Sequence, residues 1–307
     1  GDEVIVPSFT FVSTANAFAI RGAKLVFADS LPDHPNLDVS QLEALITPRT
    51  KVIVPVHYAG VAVDMAPLLA LARLHGVAVV EDAAQAVEAG YRGQPLGTLG
   101  DIGTFSFHET KNIHCGEGGA IAVNRPDLVA RSEILREKGT NRAAFFRGEV
   151  DKYGWMDVGS SFLPSDILAA ILWAQLEQLD AICQHRLALW GRYHQALAPL
   201  ESRGLLQRPT VAEFARHNAH AYYLVLPDEP TRARFIAHLK GRGVMAVFHY
   251  QSLHASPYFR DRHDGRPLPQ ADRYSDCLVR LPLFHDLDEG MQGQVIDAAL
   301  SFFGVAQ

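Results

Sequence analysis

Short apolar runs alternate with amphipathic stretches through the first half of the chain. Residues 4–7 (VIVP), 25–28 (LVFA), 52–56 (VIVPV), 77–80 (VAVV), 104–107 (TFSF) and 120–123 (AIAV) are apolar on both faces and bounded by turn residues. That is the pattern of strands buried in a mostly parallel sheet. Between two of them, MAPLLALARLH reads as a helix, with Asp64 placed to cap its start and Gly76 to end it. Strand–helix–strand repetition with such short connections predicts an α/β domain with helices on both faces. Pro164-Ser165-Asp166 reads as a helix start, and the periodicity after it predicts one long helix through residue 197, suited to bridging two domains. Further on, residues 222–226 and 244–250 read as strands flanking a helix over 231–242, the pattern of a small α+β domain. The predicted division is a large domain over residues 1–180 and, over 181–307, the end of the linking helix with a small C-terminal domain.

Composition narrows the function classes. The chain has 307 residues, of which 48% are hydrophobic and 20% charged, with a formal net charge of −6. It has no basic footprint for nucleic acid, and no apolar run reaches the roughly 18 residues that span a bilayer. Three widely separated cysteines, Cys115, Cys183 and Cys277, fit a reduced cytoplasm better than a disulfide framework. The 14 histidines are scattered, with no H-E-x-x-H pattern, so no metal site is expected. The chain opens on a strand at Gly1, so a segment before it is expected.

Ligands of open α/β sheets bind at the carboxyl ends of strands. The polar residues there are Ser8 and Thr10, His57 and Tyr58, Glu81 and Asp82, and His108 to Lys111. Asp82, just past a buried run, either caps a following helix or pairs with a cation. Lys111 is one of six lysines and the one set between a predicted central strand and a Gly-rich turn, Gly116 to Gly119. An isolated lysine reads as a surface charge. Together the two residues meet the requirement of pyridoxal phosphate (PLP): an amine to bond the cofactor and an acid to keep its ring nitrogen protonated. G-E-G-G precedes a strand and is not G-x-G-x-x-G, so a dinucleotide site is rejected.

These residues sit in longer segments that resemble the DegT/DnrJ/EryC1/StrS sugar aminotransferases of PLP fold type I. The matching segments are GDEVIVPSFTFVSTANAF (1–18), VIVPVHYAG (52–60), VVEDAAQ (79–85), GTFSFHETKN (103–112) with GEGG, HYQSLH (249–254) and RLPLF (280–284). The resemblance implies an aspartate-aminotransferase-like fold, PLP as cofactor, and a homodimer whose active site is shared across the interface. It further implies Lys111 as the Schiff-base lysine, Asp82 on the pyridinium nitrogen, Gln85 on the phenolic-oxygen side from the same helical face, and Ser106 on the cofactor phosphate. Phe11 would stack on the ring, Ser161 would reach the neighbouring subunit's cofactor, and His249 and Tyr250 would line the substrate side.

SFHETKN, REKGTNRAAFFRGEVDKYGW (136–155) and VGSSFLPSD (158–166) resemble the branch that makes dTDP-4-amino-4,6-dideoxygalactose. The implied reaction takes an amino group from L-glutamate to dTDP-4-keto-6-deoxy-glucose, in the cytoplasm, for a cell-surface polysaccharide or the enterobacterial common antigen. Two alternatives stay open: action on a 3-keto sugar, and a truncated, non-catalytic remnant. The second arises because family members carry roughly seventy further residues before this start, including a phosphate-binding turn at a helix N-terminus. His114-Cys115, where relatives have small or hydroxyl residues, leave the fine substrate assignment open as well.

Overall fold

The computed structural model describes residues Gly1–Val305. Each of the six apolar runs contributes a strand: β1 (Glu3–Pro7), β2 (Lys24–Ala28), β3 (Thr50–Ile53), β4 (Ala78–Asp82), β5 (Ile102–Ser106) and β6 (Gly119–Val123). They form one sheet in the order β2-β1-β3-β4-β5-β6. The first five are parallel and β6 returns antiparallel to β5. Ile5, Ala28, Ile53 and Val79 bury one face against α2 (Met65–His75), while Val4, Val6 and Phe27 bury the other. The helix following β1 is α1 (Val12–Ala19).

Gly76 ends α2 in the left-handed conformation, φ 64°, as expected. Its start differs from expectation. The Asp64 carboxylate does not reach the helix amides; it accepts the Tyr91 hydroxyl at 2.6 Å, and that hydroxyl accepts the Ala66 N–H at 3.1 Å. The cap is relayed through a tyrosine from a neighbouring two-residue strand, Gly90–Tyr91.

The predicted long helix is two helices, α3 (Asp166–Leu176) and α4 (Leu179–Ala196). Ser165 caps α3 by accepting the Leu168 N–H. The break falls at Gln178, whose φ −107° and ψ 8° are not helical. The two halves serve different neighbours, which one straight rod would not satisfy. Leu168 and Leu172 lie beside the turn of Cys115 and Gly118, and Gln175 Oε1 accepts the His114 N–H at 2.8 Å. Leu189 and Tyr193 belong to a separate core.

That separate core is built on a three-stranded antiparallel sheet of β7 (Tyr222–Val225), β8 (Val247–Phe248) and β9 (Leu278–Leu281), with β9 central. Helices α5 (Glu229–Lys240) and α6 (Glu289–Phe302) cover its outer face through Phe235, Leu239, Val295 and Leu300. Its inner face is not free. Tyr223 and Leu278 share a core with Phe9, Tyr58 and Val6, so the small sheet is packed directly against the carboxyl end of β1. No helix among the described residues is long and apolar enough to cross a membrane.

Candidate active site

β4 carries two adjacent carboxylates that the strand pleat sends to opposite faces. Both lie inside the strand, which runs to Asp82 and not only to Val80. Glu81 is fully buried and points away from the ligand side. It accepts the backbone N–H groups of Gly97, Leu99 and Gly100 at 2.7–2.8 Å and His57 Nε2 at 3.0 Å. His57 Nδ1 accepts the Val63 N–H, so the ring proton lies on Nε2, toward Glu81. Burial pushes the Glu81 carboxyl upward, but His57 and the N–H groups outweigh it and hold the pKa below its ordinary value.

Asp82 faces the ligand side. Its Oδ2 accepts the Thr14 hydroxyl at 2.6 Å and its Oδ1 the Ala84 N–H at 3.1 Å. The second bond closes a turn, not a helix cap, because residues 83–88 form successive turns. Gln85 therefore reaches the site from a reversing loop and not from a shared helical face. The small Ala83-Ala84 pair lets the backbone fold back, with the Ala86 N–H on the Ala83 carbonyl.

Asp82 pairs with Thr104 in the parallel register. From Ser106, at the end of β5, the chain turns so that the Lys111 N–H donates to the His108 carbonyl at 2.9 Å. The Gly-rich segment closes the return to β6, and Gly116 takes φ +86°, which favours glycine. Lys111 is half-buried. Burial lowers its pKa from the ordinary 10.5, the Asp82 carboxylate opposes that shift, and the Arg280 guanidinium adds to it. The Asp82 carboxylate at the end of β4 thus acts on the Lys111 amine in the turn that follows the neighbouring parallel strand.

Gln85 Oε1 accepts the Ala59 N–H at 2.6 Å, and its amide donates to the Tyr250 hydroxyl at 2.7 Å. The Tyr250 ring stacks on His249 at 3.6 Å, and His249 Nδ1 meets the Tyr58 hydroxyl at 2.5 Å. Burial, with Arg280 and Lys111 nearby, keeps His249 neutral by driving its pKa far down. Ser106 is half-buried, its hydroxyl accepting the His108 N–H at 3.3 Å. It lines one small cavity with Gln85 and Lys111. Phe11 is 55% exposed, 5.9 Å from the Tyr250 ring. Five of the residues singled out from the sequence (Gln85, Ser106, Lys111, His249 and Tyr250) thus share one network or cavity, Asp82 stands at the neighbouring strand end held by Thr14 and Ala84, and Phe11 stands at the rim. Ser161 stands apart. It pairs with Glu137 through the backbone on an exposed stretch.

The structure adds residues the sequence did not single out. Asn218 donates to the Gln85 and Val87 carbonyls, and the buried His220 meets Asn112 Oδ1 at 2.9 Å. This segment clamps the Gln85 loop to the Lys111 turn. Its arrival from beyond α4 has no local signature. Thr14 and Arg280 lay within quoted segments, and only the fold turns them toward Asp82 and Lys111.

The donor set suits PLP: an amine of lowered pKa, a carboxylate held by two donors for the ring nitrogen, and an open aromatic face. Fold and site define a PLP-dependent aminotransferase of fold type I. The model of the DegT/DnrJ/EryC1/StrS aminotransferase family matches residues 1–300, and the chain belongs to that family. Among solved structures it is similar to DesV from S. venezuelae, at 33% identity and TM-score 0.88, over 100% of this chain and 79% of that one. It is similar to the sugar aminotransferase CalS13 from Micromonospora echinospora, at 28% identity and TM-score 0.88, over 98% and 80%. The PMP form of Spr1654 from Streptococcus pneumoniae matches at 25% identity and TM-score 0.88, over 98% and 82%. The chain is a sugar aminotransferase.

Proposed function

We propose that the enzyme transfers the amino group of L-glutamate to the 4-keto carbon of dTDP-4-keto-6-deoxy-glucose, giving dTDP-4-amino-4,6-dideoxygalactose. The observation that carries the chemistry is the placement of Lys111, in the turn that follows β5, beside Asp82 at the end of the adjacent strand β4. Bound PLP supplies the electron sink. Lys111, its amine made easier to deprotonate by burial, takes the proton from the donor's Cα and later returns one at the sugar carbon. Asp82, held by Thr14 and Ala84, keeps a ring nitrogen protonated. Gln85 is fixed by Ala59 and Tyr250 to present its amide plane beside the phenolic oxygen. Ser106 offers a hydroxyl to the phosphate and Phe11 a face to the ring, while His249 and Tyr250 border the sugar. The sugar position rests on the resemblance of residues 136–166.

The active unit in this reading is a homodimer with Ser161 serving the partner's site. Its support is a run of exposed apolar side chains on the sequence flanking that residue: Trp155 is 82% exposed, Phe162 69% and Ile167 74%. Such a surface calls for a partner. The work falls between a large domain ending near residue 180 and a smaller one after it. It proceeds in the cytoplasm, in keeping with three free, buried cysteines, and feeds surface-polysaccharide or common-antigen synthesis. The test is NMR of the product. An amino group on C4 supports the reading, and one on C3 replaces it with the 3-keto alternative. Lys111→Ala is expected to abolish turnover with either sugar; retained turnover removes Lys111 from the chemistry.

A further inference from the structure

We infer that His220 is a positioning residue that seats the Lys111 amine: its Nε2 lone pair accepts a hydrogen bond from Nζ whenever the lysine is not bonded to the cofactor. This rests on the aminotransfer reading above, in which Lys111 carries the proton. The orientation of the ring follows from its neighbours. Asn112 Nδ2 donates to the Asn218 carbonyl at 2.9 Å, so Asn112 turns its Oδ1 toward His220 Nδ1, 2.9 Å away. An amide oxygen only accepts, so Nδ1 carries the ring proton and Nε2 keeps a lone pair. No hydrogen bond among the described residues uses that nitrogen. The backbone is pinned as well. The His220 N–H donates to Asn218 Oδ1 at 3.1 Å, and the His220 carbonyl accepts from the buried Arg186 of α4 at 2.8 Å.

His220 and Lys111 line the same cavity, together with Gln85, Ser106 and Asn112, and its volume is about 10 Å³. That is close to the space one water needs, and so to that of one ammonium head. Once Lys111 has taken a proton it is a cation in a half-buried place, which is costly without an acceptor. Asp82 answers its charge from the end of β4; the Nε2 lone pair answers an N–H from the cavity side. Burial, and after it Lys111, Arg186, Arg280 and His249, push the His220 pKa well below its ordinary 6.5. The imidazole therefore accepts the hydrogen bond without keeping the proton. A base used twice needs such a neighbour, since the proton taken from one carbon has to stay on Lys111 for return at the next.

The experiment titrates Lys111 in the apoprotein by competitive acetylation across about pH 7–11, read by mass spectrometry of the Lys111 peptide. Two variants divide the ring. Asparagine sets an amide N–H where His220 has Nδ1 and keeps the bond to Asn112, whereas glutamine sets an amide oxygen near Nε2. His220→Asn is expected to lower the Lys111 midpoint by about one pH unit, the loss of one hydrogen bond to a charged group. His220→Gln is expected to hold it within about 0.3 of wild type. In the holoenzyme, His220→Asn should slow conversion of PLP to PMP by L-glutamate about ten-fold and enlarge the isotope effect of α-deuterated glutamate, with His220→Gln recovering most of both. A midpoint that does not move in His220→Asn, or that moves further in His220→Gln, overturns the inference and leaves His220 to the Asn112 clamp alone. A last readout needs no change at His220. The nitrogen-15 resonance of Nε2 should differ between wild-type and Lys111→Met apoproteins, and an identical resonance also overturns the inference. Turnover retained by Lys111→Ala removes the aminotransfer reading instead, while midpoint and resonance still report on the seat.

Discussion

Thr14 donates its hydroxyl proton to Oδ2 of Asp82 across 2.6 Å. That single proton is then committed, so the 3.0 Å contact between the Thr10 and Thr14 hydroxyls has Thr10 as donor. A short relay from the β1–α1 loop thus aims the carboxylate that faces the cofactor side. Thr14→Val keeps the volume and removes the donor. Cofactor affinity is expected to weaken roughly ten-fold, the loss of about 1.5 kcal/mol that accompanies one hydrogen bond to a charged group. An absorbance titration of the apoprotein with PLP checks this, and an affinity within two-fold of wild type would show that Asp82 is aimed without Thr14.

Much of this site was legible in the chain because parallel-sheet geometry is local. Each buried strand announces itself, and ligand groups stand at its end. Asp82 and Lys111 follow from that rule and from the chemistry they share. Gln85 comes beside Lys111 by a different route from the one its spacing predicted: three-residue spacing predicted a helical face, whereas Ala83 and Ala84 permit a reversing turn that brings the side chain round. The kink at Gln178 was hidden because residues 167–197 keep helical periodicity throughout while the packing partners change. Asn218, His220 and Arg280 enter through non-local pairing of β7 and β9, which no window of sequence registers.

Glu81 anchors the loop of Gly97, Leu99 and Gly100 from the far face of β4. Glu81→Gln sets an N–H2 group against donors, and is expected to destabilise the fold by about 2–4 kcal/mol at pH 7. The pH dependence follows from the sign of the shift. Burial raises this carboxyl's pKa, but His57 and the loop amides lower it further, so the folded value lies below the ordinary 4.5. Its contribution is full above 4.5 and lost as pH falls through the folded value. Denaturant unfolding of both proteins should give a stability difference that narrows below pH 4.5. A difference that stays constant with pH would mean that the carboxylate's charge is not what holds the loop.

Two glycines separate backbone strain from collision. Gly22 and Gly60 have nearly the same positive φ, 80° and 77°. A Cβ on Gly22 meets nothing within 4 Å, whereas one on Gly60 falls 1.8 Å from Asn218 Oδ1. Gly22→Ala is expected to cost about 1 kcal/mol, the left-handed penalty alone. Gly60→Ala carries the same penalty and must also displace Asn218 from the Gln85 and Val87 carbonyls, which adds about 2 kcal/mol or more. It should weaken PLP binding too, since the Gln85 loop loses its clamp. Equal losses for the two variants in chemical unfolding would show that the clamp gives way freely.

Lys111 should be a residue the fold tolerates for its chemistry. Its charged form is penalised by burial, with Arg280 adding repulsion that Asp82 only opposes. The folded pKa is therefore below the ordinary 10.5. Between those two values the unfolded chain holds the proton more tightly, so stability rises with pH, and below the folded pKa the penalty is at its full size. Lys111→Met keeps the apolar stem and removes the amine. The apoprotein variant is expected to melt above wild type at pH 7, with the gain shrinking as pH approaches 10.5, while turnover falls at least ~100-fold. Calorimetric melting of the two apoproteins across that range is the measurement. A variant less stable than wild type at pH 7 would mean that the attraction of Asp82 outweighs burial and that the amine is a structural cation, protonated when it should act as a base.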